Sequence, residues 1–425
     1  MRKIIISLIA VLSIILIAFF GWYFFVRDQE VPLGETIRNI LPFGSGEDIQ
    51  LPVDSKKQTV DSDESFVSDE FGVPTAKLFR ISREPVAGVV VLNTRSTGST
   101  SSGQGGTSTV VVRYVDRATG HIYDTDLATL VKTKVTNQTL PKIYEAYFRP
   151  DGNAVLLRSL KDNSDVIENL SLTLTPPQAT VSTSSPQAST LYAVSSNALR
   201  GNIGTIAVGS GNTLIYTLRD TSSVVSSAFN GTGAKTLFTS PFTDWRLIVA
   251  GKNLVLYTKA SVNAPGYAYT LNTSNGALAK ILGPLNGLIV VPNASGDRAL
   301  YSYTESGETR SFVKNLQSGA LSEILPTTLA EKCIWGTKSV GLVFCAVPVD
   351  DLGTGEPDNW YRGTTHFSDR IWLFDTNTDI AQVLVEPKQS LGIDIDVFEP
   401  RLSPDEDYLV FINKNDLSLW ALKIQ

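Results

Sequence analysis

The chain has little of what most enzymes work with. Its 425 residues include two His, two Cys and one Met. With only His121, His366, Cys333 and Cys345 to draw on, histidine-based catalysis and metal sites built from several Cys and His ligands have almost no material. Charge is also sparse at 18%, with 36 Lys+Arg against 42 Asp+Glu for a net of -6. No basic stripe is present that would neutralise a phosphate backbone, so nucleic acid is excluded as a partner. A G-x-S-x-G nucleophile elbow and a C-x-x-C redox pair are both missing. The stretch NGTGAKT from Asn230 lacks the Gly-Lys-Ser/Thr order of a phosphate loop and reads as a hairpin turn. No cofactor, metal or catalytic residue is therefore expected.

One long uncharged run is present. From Ile4 to Val26 the sequence IIISLIAVLSIILIAFFGWYFFV contains no charge and is long enough at about 1.5 Å per residue to cross a hydrocarbon core of about 30 Å as a single helix. A cleaved secretory signal would have a shorter apolar stretch followed by small residues, whereas aromatics follow here. Arg2 and Lys3 precede the run, placing the rest of the chain outside the cytoplasm; Arg27 at the far end weakens that asymmetry. The expected organisation is a cytoplasmic tip and transmembrane helix over 1–27, a flexible, disordered acidic stalk over 28–76 containing DSDESFVSDE, and a folded domain over 77–425.

Beyond Lys77, short apolar runs alternate with turn residues and no helical period is sustained. GVVVL, TVVVRYV, AVLLRSL, TLIYTL, NLVLYT, ALYSYT, GLVFCAV and YLVFIN are such runs. One turn class recurs in FRPDGNAVLLRS, VPNASGDRALYSY and LSPDEDYLVFIN; a second, one hairpin later, recurs in RATG, NGTG, NTSNG, LQSG and DTNTD. Pro presets φ in the first class, and Asn, Asp or Gly tolerates the bend in both. Together they imply repeated four-stranded antiparallel units in an all-β domain.

An incoming strand, an SPDG-like turn, a hairpin and an N-x-x-G turn resemble one blade of a TolB-type or WD-repeat-like β-propeller. The resemblance covers roughly 77–425 and is closest at Phe148 to Leu157 and Leu402 to Phe411, although the WD dipeptide and Gly-His signature are missing. It implies a β-propeller of seven blades, near 77–135, 140–196, 200–242, 245–283, 286–326, 331–387 and 395–425. A closed ring lets each sheet bury its faces against its neighbours and removes exposed edges. The last unit shows three strands, so a segment from before Lys77 is expected to complete it.

Three stretches exceed what hairpins need, beginning at Ser96, Thr175 and Val349. The first two are Ser/Thr/Gly/Pro-rich decoration. The third, VDDLGTGEPDNWYRGTTHFSD, unites Asp350, Asp351, Glu356 and Asp358 with Trp360, Tyr361 and His366. It is the candidate ligand-binding loop for a cation, sugar or peptide; alternatively, Trp360 and Tyr361 pin it to the blade beneath. Cys333 and Cys345 flank IWGTKSVGLVF on adjacent strands of the sixth unit, as a structural disulfide or as two buried thiols.

The sequence leads to a membrane-anchored extracytoplasmic propeller of the cell envelope, periplasmic or on the cell surface. It would be a non-enzymatic platform whose face binds a protein or polymer ligand. The alternative is a hydrolase acting on glycans or other envelope polymers through acids at the ring mouth, with Asp350, Asp351 and Asp358 as its candidates. Envelope assembly or quality control is a third role compatible with the same architecture.

Overall fold

The computed structural model describes residues 76–95, 108–162, 164–177 and 191–424. The apolar run, the acidic stretch and most of the first two insertions lie outside them. Among the described residues, no helix is long and apolar enough to cross a membrane.

Seven four-stranded antiparallel sheets make up the domain. Lettering the strands A to D from the axis outward, blades 1 to 6 occupy 86–134, 143–199, 203–239, 245–286, 289–323 and 333–385, and blade 7 combines 397–423 with 78–82. The A strands of neighbouring blades touch around the axis from blade 3 through blade 7 to blades 1 and 2, and blades 2 and 3 join through a shared buried cluster. The ring is thus closed, and the buried side chains repeat that order. Separate clusters join blades 7 and 1, 1 and 2, 2 and 3, 3 and 4, and 6 and 7, while one spans blades 4, 5 and 6.

This closure explains why the apolar runs are continuous. In the B strand of blade 2, Ala154 and Leu156 pack toward blade 3 while Val155 and Leu157 pack toward blade 1, and all are at most 1% exposed. A strand covered on both faces loses the apolar-polar alternation of a half-exposed sheet.

Closure of blade 7 differs from expectation. Its outer strand is Leu78–Ser82, just after Lys77, and it pairs antiparallel with Leu419–Lys423. The sequence reading counts this strand within blade 1. The error also misplaces RATG, which joins the B and C strands of blade 1; the C–D turn there is 127–131. The other turns of the second class do join C to D, including NGTG between Ser223–Ala228 and Lys235–Thr239. The first class joins A to B. In blade 5, Asn293 Oδ1 accepts from the N–H groups of Gly296, Asp297 and Arg298 at 3.0–3.1 Å. Gly296 has a φ of +75° there, a conformation that costs glycine little.

Cys333 and Cys345 lie directly opposite each other on the A and B strands of blade 6, with Cα atoms 4.1 Å apart, and form a disulfide. The fold is not wholly free of helix. One-turn helices occur at Asp358–Arg362 and Pro387–Leu391, each ended by a left-handed glycine, Gly363 or Gly392. Both are shorter than a sequence period can reveal.

Candidate functional site

Antiparallel order puts the A–B and C–D turns on one face of the ring. The B–C connections and the crossovers between blades lie on the other, termed the crossover face. The insertion 349–368 is the B–C connection of blade 6, between Leu342–Pro348 and Asp369–Asp375, and therefore lies on the crossover face.

Trp360 anchors this insertion. It is 1% exposed, its backbone N–H donates to Glu356 Oε2 at 2.8 Å, and its indole Nε1 donates to Asp396 at 2.9–3.0 Å. Asp396 precedes the A strand of blade 7 and also pairs with Lys332, which ends the crossover into blade 6. Lys332 is fully buried, with Nζ 2.5 Å from Asp396 and 2.8 Å from Asp369. The same ammonium lies 4.9 Å from the Trp360 ring and 5.0 Å from that of Phe367. Burial pushes the Asp369 carboxyl up to about 6 against the opposing pull of Lys332, and nearby Asp396 adds to the rise. Asp369 Oδ1 has no hydrogen-bond partner among the described residues, in keeping with a carboxyl that holds its proton more readily.

The insertion also reaches neighbouring blades. Glu356 is buried, and its carbonyl accepts from Thr304 Oγ1 of blade 5 at 3.1 Å. Asp358 Oδ2 accepts the Val262 N–H of blade 4 at 2.7 Å, and the Tyr361 hydroxyl donates to Glu331 at 2.6 Å. Lys414, at the end of the B strand of blade 7, donates to the Trp360 carbonyl and lies 4.7 Å from its ring. Burial lowers the pKa of Lys414, and the nearby positive charge of Lys332 does so further.

The candidate loop residues are thus brought together, with different surroundings. Glu356, Asp358, Trp360 and Tyr361 are bonded to the fold. Asp350 and Asp351 are exposed and, with Thr354, Asn359 and His366, help line a polar hollow of about 400 Å³. Among the described residues, no group of His, Cys, Asp and Glu has an arrangement able to hold a metal ion.

A second cavity, of about 380 Å³, opens on the crossover face over blades 2, 3 and 4. Its lining includes Arg158, Arg219, Arg246 and Lys259 but only Glu145 and Asp244 as acids. Arg158 is 4% exposed and fully engaged: Nε donates to Asn169 Oδ1 at 3.1 Å, one terminal nitrogen to Glu145 at 2.6 Å and the other to the Ile203 carbonyl at 3.1 Å. Glu145 also accepts from the Tyr147 hydroxyl at 3.0 Å. Arg219, Arg246 and Lys259 have no ion pair or side-chain hydrogen bond among the described residues. Arg219 extends across Gly204, where a Cβ would come within 2.5 Å of Thr217 Oγ1 and 3.5 Å of the arginine stem. The buried Tyr144 hydroxyl beside this cavity also has no partner.

Sequence reasoning missed this basic mouth, although a signal for it exists. In three successive blades a cation follows the apolar run of the B strand, near or just past the strand's end: AVLLR gives Arg158, IYTLR gives Arg219 and VLYTK gives Lys259. Lys414 is the counterpart in blade 7 and is occupied by Trp360.

No family model matches the chain, and no curated protein matches it. Solved structures do resemble it in outline. An oligogalacturonate lyase from Vibrio parahaemolyticus is 12% identical, over 85% of this chain and 96% of that one, with a TM-score of 0.49. Hydrazine synthase of Kuenenia stuttgartiensis is 14% identical, over 69% and 79%, at 0.47. TolB from Acinetobacter baumannii is 11% identical, over 69% and 78%, at 0.39. At such identities and scores, the activities those names carry belong to those proteins alone.

Proposed function

We propose that the chain is a membrane-anchored, extracytoplasmic β-propeller that binds a protein or polymer ligand on its crossover face. The observation that carries this reading is the open mouth over blades 2 to 4, whose outer cations lack ion-pair partners while the Lys332 ammonium under the insertion is paired with two carboxylates. Ligand groups gather on loops presented by a rigid scaffold, and this face supplies such loops. Exposed Asp350 and Asp351 at the hollow extend the same surface. The uncharged run from Ile4 to Val26 supplies the anchor, and the Cys333–Cys345 disulfide suits an oxidising exterior. Crosslinkers placed on each face of the membrane-embedded full chain test the reading. Capture of a partner from the crossover face, weakened by Asp350→Asn/Asp351→Asn or by changes at the mouth, is expected; equal capture from the hairpin face contradicts it.

A second reading, hydrolysis of an envelope polymer by acids at the mouth, draws support from Glu399. This residue lies on the axial A strand of blade 7, where pairing shifts between Phe398 and Arg401, and has a φ of +50°. Burial raises its carboxyl pKa; Arg401 opposes the rise, and Glu145 and Glu331 add to it. Backbone strain and displaced acidity gather at working sites. Cleavage of an envelope polymer by the purified chain, lowered about 100-fold or more in Glu399→Gln, would establish this reading. Release of no product would remove it.

A further inference from the structure

We infer that the mouth cavity over blades 2 to 4 is a binding site for an oxyanion-bearing ligand, contacted by Arg219, Arg246 and Lys259, with Arg158 as a positioning residue. The inference rests on the binding reading above and specifies the chemistry that this surface would recognise.

The charge balance is the first ground. The whole chain is acidic at -6, yet this cavity gathers four cations against two acids. One of those acids, Glu145, is already occupied by Arg158 and Tyr147. Cations drawn into one concavity repel each other, and low-dielectric walls focus their field outward. Packing does not demand the cluster, because Arg219 and Lys259 are exposed at strand ends where any polar residue would serve.

Construction is the second ground. Arg158 bonds through all three of its nitrogens and so fixes the cavity floor instead of reaching for a ligand. Gly204 leaves the space across which Arg219 lies. A carboxylate or phosphate oxygen supplies the negative charge that Arg219, Arg246 and Lys259 lack. The volume, about 380 Å³, lies toward the small end of the range for ligand pockets, about 300–1,000 Å³.

The test is calorimetric titration of the detergent-solubilised full chain with citrate and, separately, inorganic pyrophosphate, with triethyl citrate as the uncharged control. Citrate alone binding identifies a carboxylate ligand and pyrophosphate alone a phosphate ligand; either supports the site. The expected result is saturable binding at one site that weakens with added salt. Arg219→Gln/Arg246→Gln should lower affinity tenfold or more. Lys259→Glu, at an exposed position that the fold does not need, should also lower it severalfold. Binding of neither probe, equal binding of triethyl citrate, or unchanged affinity in both variants would overturn the inference. Crosslinked capture that survives in the double variant would overturn the anion site while leaving the broader binding reading intact.

Discussion

Two regions of the crossover face handle charge in opposite ways. Beneath the insertion, Lys332 is enclosed by Asp369, Asp396, Trp360 and Phe367, and Lys414 closes over the same indole. Over blades 2 to 4, Arg219 and Lys259 stand exposed at strand ends with no carboxylate bound to them. Burying an ion is tolerated only when partners replace its water, so the first arrangement holds the fold together. An exposed cation needs no such partner and adds little to stability. Its convergence with others in a concavity therefore points outward, to a ligand.

The largest effect is expected at the enclosed cation. Lys332→Met strands Asp369 and Asp396 in the interior and should cost about 3–5 kcal/mol, read from denaturant unfolding. Trp360→Ala should cost a similar amount by removing the ring that roofs this ammonium, about 3–5 kcal/mol. A Trp360 substitution is consequently a poor probe of ligand binding by the loop, and Asp350→Asn/Asp351→Asn is the better one. Reducing the Cys333–Cys345 bridge should destabilise the chain by about 2–4 kcal/mol, measured with and without reductant.

A pH series sharpens the contrast further. Because the folded Asp369 carboxyl is raised from 3.8 to about 6, the folded chain keeps a proton there that the unfolded chain has released. Its contribution is full below the lower value and is lost as pH rises through the upper one. Asp369→Asn should therefore gain stability relative to the parent as pH rises across that window, a trend read from paired unfolding midpoints. A difference that stays constant with pH would mean that the carboxyl titrates normally. The smallest effect on stability belongs to the open mouth: Arg219→Gln/Arg246→Gln should unfold within about 0.5 kcal/mol of the parent. A loss there as large as that of Lys332→Met would erase the distinction between the two regions.

Much of the ring was legible in the sequence because its signals are local. The turns FRPDG, VPNASGD and LSPDED mark A–B hairpins, and AVLL or YLVFIN marks a strand covered on both faces. The three-stranded last unit also announced that another segment must complete it, but apolar content could not show whether LFRIS began blade 1 or ended blade 7. Pairing across more than three hundred residues leaves no periodic trace. The candidate site was less legible for the same reason. Lys332, Asp369 and Asp396 are far apart in sequence, and each alone looks like an ordinary surface charge. The recurring cation in AVLLR, IYTLR and VLYTK was visible, yet it acquires meaning only when adjacent blades turn those strand ends toward one mouth.

The distinction between an enclosed and an open set of charges is tested most directly by how the unfolding midpoint responds to a saturating concentration of the anion that binds. A ligand that binds the native state at about a hundred times its Kd stabilises that state by about 2.7 kcal/mol. The parent and Lys332→Met should both rise by that amount from their different starting points, while Arg219→Gln/Arg246→Gln should respond far less. An equal rise in the double variant, or no rise in the parent, would contradict the account.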